Sequence, residues 1–184
     1  MTNSNIGNSV ENIHIAENVL SIEDHRRLLS YAENAEPWRT QPWGVKVLPP
    51  SEIPEEISNI LDKVFITAYQ KCVDFYNVDL YSFKNKNTPL VRFEKNYKMN
   101  EHADTAGDFA VIYYINDDYE GGEINFMDHN LKIKPKANSF VMFPSNSDYW
   151  HEVLENKMKE RYSATQWFKF NGSSIERPVL GLVR

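Results

Sequence analysis

Three side chains in the second half of the sequence have the types and spacing to hold a metal ion together. His102 and Asp104 are separated by one residue. On an extended strand alternate side chains leave from the same face, so an imidazole and a carboxylate would project side by side. His151, in the strand-like run YWHEVL, supplies a third donor. Two imidazoles and one carboxylate on one face of an octahedron leave the opposite face open, an arrangement suited to a divalent iron that must admit further ligands. Alone, a His-Ala-Asp tripeptide is common and carries little weight.

The weight comes from ten residues beyond His151. Arg161, Ser163, Thr165 and Trp167 alternate along RYSATQWF and so share one face. Carrying a guanidinium into a β interior is costly unless an anion pairs with it. Its planar fork suits a carboxylate held by two hydrogen bonds. A metal with an open face and a carboxylate clamp in the same cavity describe a ligand with a chelating end and a distal carboxylate. 2-Oxoglutarate has that form.

The elements that must position these residues follow from periodicity. Ser21 can cap a helix whose capping box Asp24 completes, running through Leu28, Leu29 and Ala32 and stopping before Pro37. The segment 37–50, with four prolines and a glycine, contains a short strand at Val45–Val47. A second helix opens at Pro54 with Glu55 and Glu56 at its positive end. Its buried stripe is Ile57, Ile60, Leu61, Val64, Ala68, Cys72 and Phe75. Beyond residue 88 the period shortens, and PLVRFEK, DFAVIYYIN, GEINF, LKIK, SFVMFP, WHEVL and RYSATQWFKF alternate with turn residues. The fold expected is mainly β with supporting N-terminal helices, a double-stranded β-helix or jelly roll. One domain spans 1–184, with 1–12 disordered, 13–87 as helical support and 88–170 as the jelly-roll core.

Composition narrows the context. A chain of 184 residues with 41% hydrophobic and 25% charged residues is an ordinary globular domain. Its net charge of −6 weighs against nucleic acid as a partner. A single cysteine, Cys72, allows no intrachain disulfide and reads as a small core residue. The first twenty residues lack a basic start and an apolar run, so neither a signal peptide nor a membrane partner is expected, and the expected location is cytoplasmic.

From about 88 to 170 the sequence resembles the prolyl-hydroxylase branch of the Fe(II)/2-oxoglutarate dioxygenases, and most of all the hypoxia-inducible-factor type of prolyl hydroxylase. The resemblance is carried by His102-Ala103-Asp104, Ile112-Tyr113-Tyr114-Ile115-Asn116, Gly121-Gly122, His151-Glu152-Val153, and Arg161-Tyr162 with Thr165 and Trp167. It implies a prolyl 4-hydroxylase-like enzyme using Fe(II), 2-oxoglutarate and O2, with room for ascorbate, acting on a peptide or protein. It implies that His102, Asp104 and His151 ligate the metal, with no catalytic residue beyond the metal centre. Arg161 would bind the far carboxylate of 2-oxoglutarate with Tyr114, Thr165 standing nearby, while Ile112, Ile124 and Trp167 line the pocket. Phe93 departs from the family, which often has Tyr there, and Asn96 and Asn138 stand at turns where relatives carry Gly; Asn tolerates positive φ. Arg161 in place of Lys separates the chain from the collagen-type prolyl hydroxylases.

Other readings remain open at this level. An oxygenase acting on a free amino acid or on nucleic acid shares the metal site, although the demethylase branch carries a further arginine roughly where Trp167 stands. A cupin- or lectin-like module would use the histidines structurally. His14 and His25 read as solvated, His129 as a turn residue, Trp38 and Trp43 as core or substrate wall, and the loop 82–89 as a solvated polar loop.

Overall fold

The alternating segments of the second half pair into two facing antiparallel sheets. The computed structural model describes residues 12–80 and 88–172, together with the backbone of Leu182–Val183. In chain order the elements are β1 (His14–Glu17), α1 (Ile22–Asn34), β2 (Arg39–Thr40), β3 (Lys46–Leu48), α2 (Glu55–Tyr76), β4 (Leu90–Phe93), β5 (Met99–Ala103), β6 (Phe109–Tyr114) and β7 (Glu120–Gly121). There follow β8 (Ile124–Phe126), β9 (Leu131–Ile133), β10 (Ser139–Pro144), β11 (His151–Val153), β12 (Asn156–Lys157), β13 (Arg161–Phe168) and β14 (Leu182–Val183).

The major sheet runs β1-β10-β6-β13-β4-β3-β2 and the minor sheet β14-β5-β11-β8-β9, while β12 and β7 pair separately. The chain passes from β4 to β5, β6, β8, β9, β10, β11 and β13 by crossing repeatedly between the sheets, and this winding is the jelly roll.

Alternation along the central strands sorts side chains between two cores. Ala110, Ile112, Tyr114, Val141 and Phe143 of the major sheet meet Ile124, Phe126 and Ile133 of the minor sheet in the interior. Phe109, Val111, Tyr113, Phe140, Met142 and Ala164 point the other way, onto Leu28, Ala32, Ile60, Leu61, Val64 and Phe65 of the two helices. Phe65 is fully buried there, and such a side chain contributes roughly 1.5–3 kcal/mol relative to exposure. The helices therefore brace the sheet whose inner face carries Tyr114 and Arg161.

Local chemistry explains most boundaries. Ser21 Oγ accepts from Asp24 N at 3.1 Å and caps α1. Only that half of the expected capping box forms, because the Asp24 carboxylate instead accepts from Lys63 Nζ on α2 at 2.7 Å. α2 ends at Asn77 in the left-handed region, φ 51°. The short strand expected at Val45–Val47 is Lys46–Leu48, and the segment expected as helical support also contributes β1, β2 and β3 to the major sheet.

Three expectations need correction. Phe75 is 42% exposed rather than part of the buried stripe of α2; the helix end passes the sheet edge, and the Phe75 ring is met there by His14 at 4.7 Å and Tyr76 at 4.8 Å. His14 itself is half-buried by that contact. His25 is half-buried too, its Nδ1 lying 3.3 Å from the Tyr113 hydroxyl. The expected disorder of 1–12 lies outside the described residues except at Asn12, as does the loop 82–89 except at its last two residues.

Candidate metal and cofactor site

The antiparallel pairing of β5 and β11 sets His102 directly opposite His151. Their ring centroids are 4.3 Å apart. Asp104 lies one residue beyond the end of β5, not on the strand as expected, yet the chain stays extended enough to keep its carboxylate beside His102. One donor atom from each of His102, Asp104 and His151 lies within 4.8 Å of the others.

Both imidazoles are prepared as ligands. His102 Nδ1 lies 2.9 Å from Asn100 O and His151 Nδ1 lies 3.0 Å from Tyr149 O. A carbonyl only accepts, so Nδ1 is the donor in each ring and Nε2 is the nitrogen left to face a metal. Burial lowers the His151 pKa, with Asp104 opposing and His102 reinforcing the shift, which keeps that ring neutral. Phe126 and Phe143 pack against it at 5.4 and 5.0 Å and fix its plane. A pair of imidazoles and a carboxylate fit a divalent iron with free coordination positions.

Arg161 begins β13 on the inner face, and with 1% exposure it is almost wholly enclosed. Its guanidinium lies 4.2 Å from the centre of the Phe93 ring and 5.1 Å from that of Tyr114. Nη1 donates to Gly122 O at 3.3 Å, while Nε has no partner among the described residues. Among the described residues no carboxylate pairs with it. The Tyr114 hydroxyl is also enclosed without a partner among the described residues, and burial pushes its pKa up to about 12, so it stays a donor. Buried donors without acceptors are rare, and here they share one interior. They fit the far carboxylate of 2-oxoglutarate.

The other expected residues divide. Ile112 and Ile124 line the interior, and Trp167 packs against it. Thr165 shares the inner face, opposite Ile112, but stands four residues from Arg161, on the order of 13 Å along a strand. Ser163, opposite Tyr114 and 1% exposed, lies nearer the guanidinium in register. His129 keeps the turn role expected, with Nε2 2.9 Å from Asp148 O and the ring stacked on Tyr149. Tyr119, a turn residue with no periodic signal in the sequence, is 4% exposed; like Arg161 Nε and Tyr114 Oη, its hydroxyl is an enclosed donor without a partner among the described residues.

Comparison with known proteins agrees with this geometry. Residues 88–169 match the model of the 2OG-Fe(II) oxygenase superfamily. Prolyl 3-hydroxylase 2 of Rattus norvegicus is 34% identical over 69 residues, which cover 35% of this chain and 10% of that protein. The Homo sapiens protein of the same name gives the same figures. The chain thus spans about a tenth of the length of these relatives. A prolyl hydroxylase from Trichoplax adhaerens, solved with a hypoxia-inducible-factor oxygen degradation domain peptide, superposes with TM-score 0.71 at 17% identity, covering 89% of this chain and 85% of that one. A Pseudomonas putida prolyl-4-hydroxylase gives TM-score 0.70 at 18% identity over 89% and 95%. At such identities the likeness speaks for the jelly-roll fold. The match to the 2OG-Fe(II) oxygenase superfamily itself runs across the strands bearing both histidines and Arg161.

Proposed function

We propose that the chain is a single-domain oxygenase that hydroxylates a prolyl residue in a peptide or protein. In this reading His102, Asp104 and His151 hold Fe(II), and Arg161 with Tyr114 holds the far carboxylate of 2-oxoglutarate. The observation that carries it is the coexistence of the His102, Asp104 and His151 trio with an enclosed guanidinium lacking a carboxylate partner among the described residues. When bound, the iron, 2-oxoglutarate and O2 supply the oxidation, in which one oxygen atom enters the substrate C–H bond and the other enters succinate as CO2 leaves.

The chain's own residues bind and orient. The carbonyls of Asn100 and Tyr149 aim the two Nε2 lone pairs, Phe126 and Phe143 immobilise His151, and Arg161 with Tyr114 sets how far the 2-oxo acid end reaches toward the ligand trio. The apolar walls from Ile112 and Ile124 exclude water from that path.

The prolyl substrate is supported by the similar proteins, which include both a prolyl 3-hydroxylase and a prolyl-4-hydroxylase. Among the described residues no helix is long and apolar enough to cross a membrane. A cytoplasmic setting belongs to the same reading, argued from the single cysteine of the sequence. The test is mass spectrometry of a proline-containing peptide library after incubation with Fe(II), 2-oxoglutarate and O2. A gain of one oxygen on proline coupled to succinate formation is expected, and fragment ions place the hydroxyl at C3 or C4. Succinate formed with oxygen transferred only to free amino acids or to nucleobases overturns the peptide reading, and no 2-oxoglutarate turnover with any substrate class overturns the enzyme.

A further inference from the structure

We propose that the Tyr119 hydroxyl is a further donor to the far carboxylate of 2-oxoglutarate, completing a clamp with Arg161 and Tyr114. The inference rests on the cofactor reading above and adds a residue to it. Tyr119 sits in the turn between β6 and β7 among exposed residues, Asp117, Asp118 and Glu120, yet its own ring is buried. Its hydroxyl is enclosed and has no partner among the described residues. A phenylalanine would fill the same space without burying an orphan donor, so the hydroxyl is a cost to the ligand-free fold that an acceptor would offset.

The ring is held in place from two sides. Lys134 Nζ stands 3.9 Å from the ring centroid. The same ammonium donates to Tyr119 O at 2.9 Å and to Gly121 O at 2.5 Å, tying the turn to the ring it carries. On the other side the ring edge rests on Gly122, where a Cβ would lie 2.8 Å from Tyr119 Cε2. Arg161 passes over the same glycine, since that Cβ would lie 3.5 Å from Arg161 Cδ and Nη1 donates to Gly122 O. The Tyr119 ring and the Arg161 side chain therefore both lie against one backbone position, Gly122.

The three enclosed groups, Arg161 Nε, Tyr114 Oη and Tyr119 Oη, all have protons to donate. Burial raises the pKa of both phenols, with Arg161 opposing in each case and Tyr114 adding to the rise at Tyr119, so both remain protonated at neutral pH. A carboxylate, with two oxygens and about four lone pairs, can accept from all three at once.

The experiment is calorimetric titration of the Mn(II)-loaded protein with 2-oxoglutarate and with 2-oxopentanoate, which keeps the chelating end and lacks the far carboxylate. Tyr119→Phe should weaken 2-oxoglutarate about tenfold or more, the loss expected for one hydrogen bond to a charged acceptor. It should leave 2-oxopentanoate unchanged and should not lower the Tm of the apo protein. Unaltered 2-oxoglutarate affinity, or equal weakening of both acids, overturns the role of Tyr119. A wild-type protein that does not prefer 2-oxoglutarate over 2-oxopentanoate overturns the whole clamp, Arg161 included, and that failure is read before any variant is made.

Discussion

His102 and His151 use the same local device from opposite strands: each ring points its Nδ1 at the carbonyl two residues earlier in the chain, Asn100 O at 2.9 Å and Tyr149 O at 3.0 Å. Because the acceptors are backbone, both tautomers are set by the fold of β5 and of the turn before β11, without help from any neighbouring side chain. The pairing of His102 with His151 across these strands then brings two Nε2 donors to one point.

The first prediction concerns metal binding. Mn(II) should raise the Tm of the wild type, because a ligand that binds only the folded state stabilises it, by about 2.7 kcal/mol at a hundred times Kd. His151→Ala and Asp104→Ala should each abolish that shift, since losing a direct ligand from a set of three exceeds the roughly 10–100-fold effect of losing an outer partner. An undiminished shift in both variants would place the metal elsewhere.

Arg161 supplies the second, in which stability and affinity move in opposite directions. The guanidinium is buried without a carboxylate partner among the described residues, so Arg161→Met removes a charge whose desolvation the apo fold does not recover. Urea denaturation of the apo protein should show a stability equal to or above wild type. 2-Oxoglutarate affinity should fall by about 100-fold, the loss of two charge-assisted hydrogen bonds at the low end of their range. A destabilised apo variant with wild-type affinity would make Arg161 a packing residue.

Arg161 was legible in the sequence through strand alternation, and the metal trio through the spacing of His102 and Asp104 together with the family resemblance that implied His151 as their partner. Once RYSATQWF is read as a strand, Arg161, Ser163 and Trp167 must share a face, and Tyr162, Ala164 and Phe168 do pack on the opposite one, against the helices. Asn96 and Asn138 could be recognised as turn positions, and both have positive φ, 64° and 58°. The second role of Asn138 was not legible. Its side chain accepts from Tyr113 Oη at 2.9 Å, and it accepts from Leu20 N at 2.8 Å and donates to Leu20 O at 2.9 Å, the last two joining segments more than a hundred residues apart. Phe75 shows a similar limit, since a helical stripe gives the face but not where the sheet beneath it ends. Tyr119 lies in a turn, where no period says which side chain turns inward.

The third prediction is a pH dependence. Burial lowers the pKa of His14, with Lys71 reinforcing it, and of His25, with Asp117 opposing. In the unfolded chain these rings titrate near 6.5. As pH falls through that value the unfolded state takes up protons that the folded state resists, so stability is full above it and declines below it until the folded rings protonate too. His151 adds to the same trend in the metal-free protein. Denaturation midpoints should therefore drop between pH 7 and 5, above the range where the carboxylates of Asp24, Glu94 and Asp118, held low by their lysine and arginine partners, begin to matter. His25→Gln should flatten part of that slope. A slope identical to wild type would mean that the ring near Tyr113 is free to protonate in the fold.

The last prediction separates two adjacent glycines. Gly121 and Gly122 both have positive φ, 69° and 66°, so a side chain at either is strained, by about 1–2 kcal/mol. What the added Cβ meets differs. At Gly121 it runs into the Glu155 carbonyl oxygen, a backbone atom that cannot step aside without breaking the bond from Gly122 N to that same oxygen. At Gly122 it presses on Tyr119 Cε2 and approaches Arg161 Cδ, two side chains that can shift but belong to the clamp. Gly121→Ala should thus lose more stability in denaturation, while Gly122→Ala should lose more 2-oxoglutarate affinity by calorimetry than its stability loss alone explains. Equal effects of the two substitutions on both measurements would mean that the turn tolerates or fails as a unit, and that the position of the Tyr119 ring does not govern the cofactor's far end.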